Sequence, residues 1–136
     1  EISKSMRLLF EILDNITENK EYRINKNRIY ALGISMGGYG VWDAIQRRRN
    51  IFAAAVPICG GGDSSLCGRI SSIPIWSWHG TNDQDISVQR SREMHNGILN
   101  AGGNPKYTEV KERGHDVWLD VWGKKSVWDW LFSKSL

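Results

Sequence analysis

Four short apolar runs recur along this chain, each too far from the next to be joined by a hairpin. They are RIYALGI over 28–34, AAAVPIC over 53–59, IPIWSW with 74–78 as its core and an end at His79-Gly80, and KYTEV over 106–110. The first is apolar without alternation, as expected of a strand buried on both faces of a parallel sheet. Helical spacing fills the gaps at 37–48 and 87–100, the second predicted to start on a Ser87 cap and stop at Gly102-Gly103. Ile2, Met6, Leu9, Leu13 and Ile16 fall at intervals of three and four and predict an amphipathic helix over 2–16; residues 126–136 predict another. Strands joined through long crossovers mean an α/β fold with a mostly parallel sheet and flanking helices.

The length of 136 residues fits one domain. A net charge of +3 is too small to point to nucleic acid, and Arg47-Arg48-Arg49 is placed to meet the last carbonyls of a helix. No run approaches the roughly 18 apolar residues that span a bilayer, so no membrane partner is expected. The chain opens on Glu1 rather than Met; its start is expected to lie outside these residues, which leaves a secreted or periplasmic location open. Cys59 and Cys67 are spaced either for a small disulfide loop or as free thiols, and match no zinc pattern.

The first strand runs into Gly33-Ile34-Ser35-Met36-Gly37. A Gly-x-Ser-x-Gly pattern alone is weak, but between a buried strand and a helix it forces the serine into a strained turn at the carboxyl end of the sheet. The N–H of Met36, at the helix start, is then aimed where an oxyanion would form. A serine nucleophile needs a base and an acid that orients it, and in this architecture they follow in the order acid, then histidine. Of the three histidines, His95 falls within a helix and His79 ends a strand, where it is expected to brace the turn. His115 alone sits on a loop after the last strand. For the acid, Asp83 lies nearer its strand than Asp85, while Asp116 adjoins the histidine and is expected to point away. Ser35, Asp83 and His115 thus fall after three strand ends in the required order.

Residues 29–136 resemble the α/β-hydrolase superfamily, through RIYALGISMGGYGVWDAI, FAAAVPICGGGD, IPIWSWHGTND, AGGNPKYTEV and GHDVW. The likeness is to carboxylesterases of the predicted-peptidase branch, related to polyhydroxybutyrate depolymerases and to feruloyl and acetylxylan esterases. It implies a C-terminal portion of one catalytic domain, hydrolysis of a small-molecule or polysaccharide-linked ester through an acyl-enzyme, and neither metal nor cofactor. It implies Ser35 as nucleophile, Asp83 as acid, His115 as base and the Met36 amide as one oxyanion donor. A serine peptidase of the same fold, or a fragment inactive on its own, are the rival expectations. The family's sheet has further strands ahead of the helix at residue 2, including the loop with the second oxyanion donor. The RIYALGI strand is therefore expected to be an open edge that pairs with that N-terminal half or with another copy. Among seven tryptophans, Trp42, Trp76, Trp78, Trp128 and Trp130 are expected in the core, and Trp118 as a wall of the substrate pocket.

Overall fold

The computed structural model describes all 136 residues. Helix α1 (Lys4–Glu18) begins where the Ser3 hydroxyl accepts the Met6 amide, and buries Met6 and Phe10. Strand β1 (Tyr30–Ile34) leads into α2 (Met36–Arg47), then β2 (Ala54–Ile58), β3 (Trp76–Gly80), α3 (Gln89–Asn100) and β4 (Lys106–Val110). Two short helices, α4 (Trp118–Trp122) and α5 (Lys125–Phe132), close the chain. The four strands form one parallel sheet in the order β1-β2-β3-β4.

Alternation along β2 and β3 divides the core into two layers. Ala55 and Ile75 face a cluster with Trp42, Ile45, Met94 and Ile98 beneath α1, α2 and α3. Ala54, Val56, Ile58, Trp76 and Trp78 face Val117, Val121, Val127 and Leu131 beneath α4 and α5. Every residue of β2 and β3 is buried, as central strands of a parallel sheet must be.

The structure corrects several sequence expectations. Strand β1 is the open edge that the resemblance implied, and is therefore half-buried throughout rather than buried on both faces. Strand β3 ends at Gly80, as read from the sequence, but starts only at Trp76, two residues into the core assigned to it. Pro74 has no N–H for the ladder, and only an isolated bridge at Ile75 precedes the strand. Between β2 and β3, where the sequence predicts no element, the chain forms a 3-10 segment (Ser64–Arg69), started by the Asp63 carboxylate on the Ser65 amide. Helix α3 starts at Gln89, so Val88 holds the cap position and the Ser87 hydroxyl reaches only the Gln89 amide, at 3.3 Å. The last helix ends at Phe132; Val127 and Leu131 are its core residues, while Trp128 and Trp130 are half-buried. Helix α4 was not anticipated. The two thiols are free and sit in different core layers, Cys59 in one and Cys67 in the other, which removes the disulfide alternative.

Candidate active site

Ser35 follows β1 with φ 57° and ψ −117°, a conformation that costs an L-residue energy. Two close approaches hold it there. A Cβ on Gly33 would collide with the Gly37 carbonyl, and one on Gly38 would strike the Ile58 carbonyl at the end of β2. Gly37 itself has open space around it, so the packing demand falls one residue later than the motif suggests. The Ser35 amide donates to Ile58 O at 2.9 Å, tying the turn to the sheet. Met36 is the first residue of α2, and its N–H therefore has no carbonyl four residues back within the helix.

Asp83 lies three residues beyond β3, in a turn that its own carboxylate organises. Oδ1 accepts the amides of Asp85 and Ile86, both at 2.9 Å. Oδ2 lies 2.8 Å from His115 Nδ1, and the Asp83 side chain is wholly out of solvent. Burial pushes its pKa up, but the Ile86 amide, His115 and the Asp85 amide outweigh that and hold it below the ordinary carboxylate value.

His115 stands on the loop after β4, which is laced to the acid loop. Thr81 N donates to Val110 O at 3.1 Å, Asn82 N to Arg113 O at 2.9 Å, and Glu112 N to Thr81 Oγ1 at 2.8 Å. At Gly80 any Cβ would collide with the carbonyls of Arg113 and Gly114, so glycine there lets the two loops touch. Arg113 in turn grips Asp120 of α4 with two hydrogen bonds, of 2.6 and 3.1 Å. His115 Nε2 comes to rest 2.9 Å from Ser35 Oγ. A carboxylate, an imidazole and a hydroxyl thus form one hydrogen-bonded relay drawn from the ends of β1, β3 and β4. With Nδ1–H donating to Asp83, Nε2 is left as the acceptor for the serine proton.

The neighbouring candidates separate as expected. Asp85 is exposed, and Asp116 turns away to Arg113 at 3.5 Å. His79 is fully buried and braces the turn through Ile86 O at 2.9 Å; His95 packs against Tyr107, the rings tilted at 37° with centroids 5.2 Å apart. Trp118 begins α4 and packs, half-buried, against the Val117–Val121–Val127 layer.

Two features escaped the sequence reading. His79 Nε2 lies 3.3 Å from Asp83 Oδ2, so the acid carboxylate has a second imidazole beside it. Cys59 sits under the site with φ 39°, its Sγ 3.9 Å from His115 O. Its position could have been inferred, since the pairing of Ile34 with Ile58 puts Ser35 and Cys59 side by side at neighbouring strand ends. The ligand atoms of Cys59, Asp83 and His115 lie within 4.8 Å of one another, a spacing a metal could use. The donor set argues otherwise: Asp83 and His115 are already bonded to each other, and a metal would need Cys59 as thiolate. Burial pushes the Cys59 thiol up to about 11, with the Asp83 charge adding to it against the Ser35 amide.

Comparison with known proteins agrees with this architecture. A thermostable esterase of known structure superimposes with a TM-score of 0.94 and 37% identity, covering 98% of this chain and 38% of that one. SOBER1 from Arabidopsis thaliana superimposes with a TM-score of 0.67 at 16% identity, covering 98% of this chain and 64% of that one, a likeness of fold alone. In sequence, the chain is 32% identical over 88 residues to a bifunctional acetylxylan esterase/xylanase from Neocallimastix patriciarum, matching 65% of this chain and 13% of that protein. It is also 26% identical over 113 residues to an uncharacterized secreted protein from Arthroderma benhamiae, of which it covers 12%. No protein-family profile matches the chain. Over the part that its residues span, the chain has the α/β-hydrolase fold, and its likeness in both sequence and structure is to esterases of that superfamily.

Proposed function

We propose that this chain carries the catalytic centre of a serine carboxylic ester hydrolase. Ser35 Oγ attacks the ester carbonyl while His115 Nε2 takes its proton; Asp83 fixes the imidazole tautomer and stabilises the imidazolium that forms. The Met36 amide, at the positive end of α2, faces the developing oxyanion. The alcohol leaves with the proton from His115, and water activated by the same base releases the acid from the acyl-enzyme. The observation that carries this reading is the relay of 2.8 and 2.9 Å ending on a serine at φ 57°.

The likeness to an acetylxylan esterase favours an ester borne on a polysaccharide, and that to a secreted protein favours action outside the cell. Trp118 is the nearest aromatic after His115 in the chain and serves as an acyl-side wall. The open edge of β1 pairs with polypeptide beyond these residues or with a second copy. Fluorophosphonate labelling tests the core of the reading: the probe should mark Ser35 and leave Ser35→Ala unmarked. Parallel assays with short p-nitrophenyl esters and peptide anilides then decide the bond cleaved, and turnover of anilides alone would sink the esterase assignment.

A further inference from the structure

His79 lies wholly outside solvent, and each of its ring nitrogens is engaged. Nε2 is 2.9 Å from Ile86 O and 3.3 Å from Asp83 Oδ2; Nδ1 is 2.7 Å from Ser91 Oγ, on the first turn of α3. A carbonyl only accepts, so Nε2 must carry a proton, shared between Ile86 O and the carboxylate. The Ser91 hydroxyl has one proton and two acceptors in reach, Nδ1 at 2.7 Å and Gly60 O at 3.2 Å. The shorter contact takes it when the ring is neutral. Burial favours that neutral form, against the pull of the Ile86 carbonyl and of Asp83. The Ile86 carbonyl therefore dictates the tautomer that aims an N–H, rather than a lone pair, at the acid turn, and the Ser91 hydroxyl anchors the ring's other nitrogen.

These contacts bear on one residue. Asp83 Oδ1 depends on the amides of Asp85 and Ile86, while Ile86 is held from its carbonyl side by His79. Oδ2 lies between His79 and His115, the two imidazoles of the site. Loss of the inner ring would free the Gly80–Ile86 turn and let the carboxylate swing away from His115 Nδ1.

We propose that His79, its tautomer set by the Ile86 carbonyl and its ring anchored by Ser91, is a positioning residue that holds the Asp83 carboxylate on His115. It touches neither the serine nor the site of attack and acts only through the aspartate. The kinetic part of this proposal rests on Ser35 and His115 being the reacting pair; the structural part does not.

The test uses His79→Leu, His79→Gln, Ser91→Ala and Asp83→Asn in the whole chain, with folding checked by thermal melting. Gln can present an amide N–H where Nε2–H stands; Leu cannot. On a p-nitrophenyl ester, His79→Leu should lower kcat about 10²-fold, the scale of a 1 Å misplacement, with KM within about threefold. His79→Gln should recover to within about tenfold of the parent, and Ser91→Ala should fall between the two. On the Asp83→Asn background, His79→Leu should change kcat by less than about twofold, because its target is gone. Multiplicative losses there would overturn the proposal. A second readout needs no substrate: the hydrogen-bonded His115 Nδ1 proton in the NMR spectrum should vanish in His79→Leu, weaken in Ser91→Ala and persist in His79→Gln. An unchanged resonance in folded His79→Leu overturns the positioning role, even if Ser35 proves not to be the nucleophile. Should His79→Leu fail to fold, Ser91→Ala decides by the same signal, and an unaltered proton in it has the same force.

Discussion

At the carboxyl end of the sheet the Asp83 carboxylate is out of water and surrounded by donors from Asp85, Ile86, His115 and His79. Along the flank made by α1 and β1, by contrast, Leu8, Leu9 and Ile12 keep 53%, 47% and 50% of their surface exposed. An apolar groove of about 440 Å³ runs there, lined by Leu9, Ile12, Ile16, Tyr30 and Leu32 among others. The difference follows from the range of the forces involved. The polar relay needs only three strand ends and the turns after them, all of which this chain supplies. Closing an apolar flank needs a neighbour on the far side of β1, where the edge strand leaves backbone groups without sheet partners.

If the site end is complete in this sense, its largest sensitivity is chemical. Ser35→Ala should remove ester hydrolysis by about 10⁴-fold or more while the fold survives. Residual turnover within tenfold of the parent would place the nucleophile elsewhere. The strain at Ser35 sharpens the point, because glycine adopts φ 57° without penalty. Ser35→Gly should be as inactive as Ser35→Ala yet more stable than it by about 1 kcal/mol, measured by denaturant unfolding.

Next in size is the acid. Asp83→Asn should cost roughly 10³- to 10⁴-fold, and Asp85→Asn little, since Asp85 offers its backbone amide rather than its carboxylate. The reverse order would move the acid two residues along the loop. Asp83 also links the site to pH. Its folded pKa is held below the ordinary value, so its stabilisation is present above about pH 3.9 and is lost as pH falls through the lower folded value. The gap in melting temperature between parent and Asp83→Asn should narrow in that acid window, and a gap that widened there would contradict the assignment.

The flank can be tested against the core directly. Ile58→Ala, at a fully buried position of β2, should cost about 2–5 kcal/mol. Ile12→Ala, on the exposed face of α1, should change stability by no more than about 0.5 kcal/mol. Measured on these 136 residues, a large loss at Ile12 would show that a second copy, rather than further polypeptide, is the partner that covers the flank.

The same contrast explains what the sequence could reveal. Apolar runs and crossover lengths disclosed the parallel sheet, and the order Ser35, Asp83, His115 disclosed the relay, because both depend on residue type at strand ends. The edge position of β1 came from the family resemblance and not from its residues, since an apolar run reads alike at a sheet's centre and at its edge. Trp128 and Trp130 were misjudged for a related reason: a short helix buries one narrow stripe, and Val127 and Leu131 occupy it. His79 was read as a brace for the turn, which it is, but its approach to Asp83 depends on how the turn after β3 folds back on the Asp85 and Ile86 amides, which residue type alone does not disclose.

The smallest expected effect concerns the cysteines, and it separates inner packing from chemistry. Cys59 is fully buried beside His115, and Cys67 is buried against the Met94 carbonyl, so neither thiol meets solvent. Burial raises both pKa values, Cys59 to about 11, which keeps the nucleophilic thiolate scarce at neutral pH. Iodoacetamide should therefore leave the native protein almost unmodified and its turnover unchanged, whereas the unreduced, denatured chain should titrate two thiols. Rapid alkylation of native Cys59 with loss of activity would mean that the floor of the site opens on the timescale of the reaction. The site end would then be no better closed than the flank, and the contrast between the two regions would fail.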